Sequence, residues 1–146
     1  MTEGVVLDDP KRGPAILLAE DDVAQLSLYT RILIGTGYYV FGVDNGNDAV
    51  ETTRREQPGL VIMDATLPLK DGWTATRELK ADPATRHIPI ILVTGLTGDA
   101  DERAAVDAGC NAFLKKPVPV RELLATVARF LLPRPGGLWV TPATGT

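Results

Sequence analysis

Apolar residues along this chain fall into short runs that alternate with stretches of helical spacing. Ala15-Ile16-Leu17-Leu18-Ala19 is a run too short for an ordinary helix, stopped by Glu20-Asp21-Asp22. It predicts a buried strand. From Val23 to Ile34 the positions Val23, Leu26, Tyr29, Ile32 and Leu33 recur at three and four, a helical stripe expected to face the core. Gly35 and Gly37 are expected to stop that helix, and Asp22 to cap its start.

The unit then repeats. Tyr38-Tyr39-Val40-Phe41 predicts a strand, Asp44-Asn45-Gly46 a turn, and residues 47–57 a helix closed by Pro58-Gly59. Leu60-Val61-Ile62-Met63 is a third strand ending at Asp64, followed by a loop over 65–71 and a helix carrying Trp73, Thr76 and Leu79 that Pro83 breaks. Ile88 to Val93 gives a fourth strand, 98–108 an Ala-rich helix, and Ala112-Phe113-Leu114 a fifth strand. Val120, Leu123, Leu124, Val127, Phe130 and Leu131 line a last helix. The strands at 16–19, 60–63 and 90–93 are apolar throughout, as a sheet covered on both faces requires. The expected fold is therefore α/β: a parallel sheet of five strands joined by right-handed crossovers with helices on both sides. Residues 1–13 read as a flexible leader, 14–132 as the domain, and the Pro/Gly-rich residues 133–146 as a flexible tail or the stub of a linker.

Composition narrows the function. The chain has 146 residues, 45% apolar and 23% charged, which suits one globular domain. A net charge of -4 and the absence of a basic cluster beyond Arg54-Arg55 argue against direct nucleic-acid binding. One cysteine, Cys110, excludes an intrachain disulfide framework and a Cys-based zinc site, and its setting predicts a core filler. No run is long enough to span a bilayer and no signal-peptide pattern opens the chain, so a cytoplasmic location without membrane insertion is expected. His87, in a loop, is expected at the surface.

Ligands of a parallel α/β sheet sit beyond the carboxyl ends of its strands. There the first strand delivers Glu20, Asp21 and Asp22, the third Asp64, the fourth Thr94, and the fifth Lys115-Lys116-Pro117. Carboxylates gathered in one crevice repel, and a hard divalent cation with oxygen ligands relieves them. A lysine and a threonine hydroxyl facing them suit the oxygens of a phosphoryl group. Asp64 is the obvious nucleophile, since aspartyl phosphate is an established covalent species. No Gly-rich phosphate loop or dinucleotide fingerprint is present.

From Ala15 to Leu132 the chain resembles the response regulator receiver domain of two-component signalling. The likeness rests on Ile16 through Asp22, on Val61-Ile62-Met63-Asp64-Ala65-Thr66-Leu67-Pro68 with Asp71-Gly72, on Pro89 through Gly95, and on Ala108 through Pro117. It implies a doubly wound, flavodoxin-like (βα)5 sheet with strand order 2-1-3-4-5. It also implies that Asp64 takes a phosphoryl group from a phosphohistidine on a histidine kinase or histidine phosphotransfer protein. Mg²⁺, with Mn²⁺ as a substitute, would be held by Asp21, Asp64 and the Thr66 backbone carbonyl, and by Glu20 through water. Thr94 and Lys116 would grip the phosphoryl oxygens, with a cis Lys116–Pro117 bond and Lys115 pointing elsewhere. Thr94 and Phe113 would form the switch, and Thr66 and Leu96 would set the phosphoryl lifetime. The expected output is a change in binding of a downstream protein through the face of the fourth helix, fifth strand and fifth helix. Such a domain catalyses its own phosphorylation and slow dephosphorylation and is not a dedicated enzyme. Two alternatives are a pseudo-receiver that only binds partners and a metal-dependent aspartyl phosphatase. The latter generally needs a second aspartate where this chain has Thr66.

Overall fold

A computed structural model of the chain, describing residues 13–95 and 98–133, pairs the apolar runs into one sheet of five parallel strands ordered 2-1-3-4-5. Five strand–helix units follow each other. They are β1 (Ala15–Ala19) and α1 (Val23–Thr36), β2 (Tyr39–Val43) and α2 (Gly46–Glu56), and β3 (Leu60–Asp64) and α3 (Gly72–Ala81). The last two are β4 (Ile90–Thr94) and α4 (Asp99–Ala108), and β5 (Ala112–Lys115) and α5 (Val120–Phe130). Every strand pair is parallel, with Ala19 beside Met63, Asp64 beside Val93 and Thr94 beside Lys115. The register therefore aligns the carboxyl ends of four strands.

Alternate residues of each strand feed two cores. Leu17, Ala19, Val61, Met63, Ile90 and Leu92 pack with Ala49, Ala75, Leu79 and Ala105, on the side of α2, α3 and α4. Ile16, Leu18, Leu60, Ile62, Ile91 and Val93 pack with Leu33, Leu123 and Val127, on the side of α1 and α5. This two-sided burial is why the central strands lack the polar alternation of a half-exposed sheet. Cys110 is half-buried against the first core and serves as filler, burial pushing its thiol upward in pKa. His87 is exposed.

Helix ends follow their chemistry, with some departures from expectation. Asp22 caps α1, its carboxylate accepting from the Gln25 N–H at 3.0 Å. Gly35 does not stop that helix; it lies within it, and Gly37 terminates it with a left-handed φ of 117°. Of the two glycines, Gly37 is the one whose backbone needs a conformation that glycine supplies cheaply. Asp44-Asn45-Gly46 is less a free turn than the start of α2, since the Asn45 side chain accepts from the Asp48 N–H at 2.8 Å. Val23, expected to face the core, is 81% exposed, and Val120, on the apolar stripe of the last helix, is 44% exposed. Each opens its helix, where the first turn has not yet descended onto the sheet. Leu96, most of the leader and nearly all of the tail lie outside the described residues. Among those described, no helix is long and apolar enough to cross a membrane.

Candidate phosphoryl-transfer site

Beyond the strand ends the chain brings together side chains far apart in sequence. Glu20, Asp21 and Asp64 each turn a carboxylate oxygen into one small volume, all three atoms within 4.8 Å of one another. Glu20 and Asp64 are almost wholly buried, and Asp21 is exposed. Lys116 reaches across from the end of β5. Its Nζ donates to Asp64 Oδ2 at 2.8 Å and to Glu20 Oε1 at 3.1 Å. The other oxygens are also held: Asp64 Oδ1 accepts from the Thr66 N–H and Glu20 Oε2 from the Asp22 N–H, both at 3.0 Å.

The electrostatics follow from this packing. Burial pushes the Glu20 carboxyl above its ordinary pKa and the Asp64 charge adds to the rise, against the opposing hydrogen bonds from the Asp22 N–H and Lys116. Burial by itself would lower the Lys116 ammonium. Its hydrogen bonds to Asp64 and Glu20, with their charges, outweigh that and raise it. One ammonium thus offsets part of a charge excess that the three carboxylates leave over. Such a residue of negative charge on hard oxygen donors is what a divalent cation with oxygen preference fits.

Local backbone sets the reach of each group. The Lys116–Pro117 peptide is cis, and the Lys116 N–H donates to the Thr94 carbonyl at 2.7 Å. Lys115, one residue earlier, is exposed. Thr94 is fully buried at the end of β4. Phe113 on β5 is half-buried and stacks on Trp73 of α3, ring centroids 6.5 Å apart at 29°. After Asp64 the chain closes a loop in which the Gly72 N–H donates to the Ala65 carbonyl at 2.8 Å. Gly72 has no room for a side chain, because a β-carbon would lie 2.2 Å from the Asp64 carbonyl oxygen. The Lys116 bridge to both carboxylates and the crowding at Gly72 are features that spacing did not reveal; the Asp71-Gly72 pair was the available hint.

Together these groups form an acidic cluster positioned for metal-assisted phosphoryl chemistry. Comparison with known proteins agrees. The model of the response regulator receiver domain matches residues 16–128. The polar-differentiation response regulator DivK of Brucella anthropi is 32% identical over 117 residues, 80% of this chain and 95% of that protein. The receiver domain of sensor histidine kinase PA1611 from Pseudomonas aeruginosa PAO1 has a magnesium ion coordinated in its active-site cleft. It superposes with a TM-score of 0.76 at 35% identity, over 81% of this chain and 97% of that one. The BeF3-activated receiver domain of RstA from Klebsiella pneumoniae gives 0.72 at 30% identity, over 80% and 97%. Sheet order, acidic cluster and sequence match converge, and the chain belongs to the response regulator receiver domain family.

Proposed function

We propose that the chain is a phosphoacceptor switch in which Asp64 receives a phosphoryl group from a phosphohistidine. The observation that carries this is the Lys116 ammonium hydrogen-bonded to Asp64 and Glu20 within a cluster of three carboxylates. A carboxylate oxygen of Asp64 attacks phosphorus, the N–P bond of the donor breaks, and the electron pair returns to the imidazole nitrogen. Lys116 neutralises charge on the phosphoryl oxygens, a role that suits a compact ammonium. Thr94, at the end of the neighbouring strand, supplies a hydroxyl to the same oxygens. The domain is a self-phosphorylating receiver and not an enzyme that turns over a free substrate.

The donor set fits Mg²⁺: Asp21, Asp64 and the Thr66 carbonyl would hold the ion, with Glu20 reaching it through water, and Mn²⁺ would substitute. The ion supplies neutralisation of phosphoryl charge when bound. Thr94 and Phe113 form the switch, and the half-buried, stacked position of Phe113 leaves it a packing surface to exchange. Without a hydroxyl, Phe113 would be stabilised in its inward state by packing alone. Thr66 and Leu96 set the phosphoryl lifetime. The output is a shift in affinity for a protein target through the face of α4, β5 and α5. The donor is a histidine kinase or histidine phosphotransfer protein. The setting is cytoplasmic, with residues 14–132 as the functional domain. Retention of Asp21, Asp64, Thr94 and Lys116 disfavours a pseudo-receiver, and Thr66 disfavours an aspartyl phosphatase.

Incubation with acetyl phosphate and Mg²⁺ should label the wild-type chain and leave Asp64→Asn unlabelled, as read by intact mass. Undiminished labelling of that variant would remove Asp64 as the acceptor.

A further inference from the structure

We infer that Leu69 is a specificity-determining contact for the protein that donates the phosphoryl group. Its apolar side chain is held out to solvent on the loop between β3 and α3, at the end of the sheet that carries Asp64, where it packs on the donor. The inference builds on the reading of Asp64 as phosphoacceptor.

Leu69 lies in the loop that leaves the carboxyl end of β3 after Asp64 and enters α3 at Gly72; the Gly72 N–H and Ala65 C=O close this loop at its base, against the Asp64 backbone. Its φ is +69°, one of two positive values among the described non-glycine residues. The Lys70 N–H donates to the Pro68 carbonyl at 2.7 Å, so Leu69 is the centre of a γ-turn of the rare, strained hand. Glycine enters this region freely and asparagine with local compensation, whereas leucine has neither advantage.

The turn is nevertheless firmly tied. The Pro68 carbonyl also accepts from the Gly46 N–H of α2 at 3.2 Å. Gly46 is packed so closely that a β-carbon would meet the Lys70 carbonyl oxygen at 1.8 Å. On the other side, Lys70 Nζ pairs with Glu78 Oε1 of α3 at 2.8 Å. With all these ties, Leu69 remains 77% exposed. Folding gains little from a strained turn that presents an apolar side chain to water. A backbone outlier over-determined by its surroundings beside a reactive group points to function.

Position selects the occupant. The loop leaves the same end of the parallel sheet as Asp64, so a macromolecule that brings a phosphorylated imidazole to that carboxylate approaches the face on which Leu69 is exposed. A small donor such as acetyl phosphate has no surface to reach Leu69. A rigid apolar anchor is preorganised for contact and forfeits little entropy on binding.

The test compares wild type, Leu69→Asn and Leu69→Met with two donors. One is acetyl phosphate with Mg²⁺. The other is the phosphorylated histidine phosphotransfer domain or kinase that transfers fastest to wild type in a purified panel. The readout is the ratio of the protein-donor rate to the acetyl phosphate rate. Leu69→Asn should lower this ratio about tenfold, as truncation of an interface anchor does, and raise the unfolding temperature by easing the turn. Leu69→Met, apolar and of similar reach, should keep the ratio within about twofold of wild type. An unchanged ratio in Leu69→Asn overturns the inference. A parallel loss of both rates also does so, because Leu69 would then act on Asp64 through the loop. Acetyl phosphate labelling without transfer from any panel member refutes the donor contact and leaves Asp64 as acceptor. Failure of wild type to label at all would instead refute the proposed function.

Discussion

The phenol of Tyr38 donates a 2.6 Å hydrogen bond to the backbone carbonyl of Leu131, tying the start of β2 to the end of α5. Burial raises the Tyr38 pKa to about 12 from its ordinary 10.0. Below pH 10 the phenol is protonated in folded and unfolded chains alike, and its contribution is complete. Between pH 10 and about 12 only the unfolded chain releases the proton, so stability falls as pH rises. Urea unfolding from pH 9 to 11.5 should show this loss, and Tyr38→Phe should flatten that part of the curve. At pH 7 the variant should cost about 1 kcal/mol, the worth of one hydrogen bond.

Gly35 lies inside α1 with nothing within 4 Å of where a β-carbon would stand. Glycine in a helix wastes conformational entropy. Gly35→Ala should therefore stabilise the domain by about 0.5–1 kcal/mol. Thermal or urea unfolding checks this, with phosphorylation by acetyl phosphate unaffected.

Gly46 presents the opposite case, since its missing side chain leaves room for backbone only. Gly46→Ala should cost about 1–3 kcal/mol through overpacking. It should also slow phosphorylation of Asp64, because the loop it displaces carries the Thr66 carbonyl. Stopped-flow labelling beside urea unfolding separates the two effects.

Lys116→Met leaves Asp64 and Glu20 packed together without their cation. Stability should fall by about 2 kcal/mol, less than for a fully buried pair because the lysine side chain is partly exposed. Mg²⁺ should bind the variant more tightly than wild type, as it no longer shares the carboxylates with an ammonium. Phosphorylation should nonetheless slow by about a hundredfold, since a donor to developing charge is lost. Calorimetric Mg²⁺ titration and acetyl phosphate labelling measure the two opposite effects.

Much of the fold was legible because two-sided burial leaves a plain trace: Ile16 to Ala19, Leu60 to Met63 and Ile90 to Val93 carry no polar interruption. Strand ends were equally readable, since an abrupt passage from apolar to acidic at Glu20 and Asp64 has few other physical causes. Helix starts were less so. Val23 and Val120 fit an apolar stripe, but a stripe does not say where a helix comes down onto the sheet. Gly35 carries no mark distinguishing it from Gly37; only the φ they adopt does. The shared use of Lys116 by Glu20 and Asp64 depends on side-chain reach across three strands, which no spacing encodes. The left-handed φ of Leu69 was hidden for the same reason, being imposed by α2 and α3 and not by its own chemistry.

The tie between Tyr38 and Leu131, with the Tyr39 N–H donating to the Pro14 carbonyl, has an architectural consequence. Among the described residues, the segment before β1 and the segment after α5 lie at one pole of the sheet, while the reactive carboxylate occupies the other. Both of these segments are thereby held off the working mouth of the sheet.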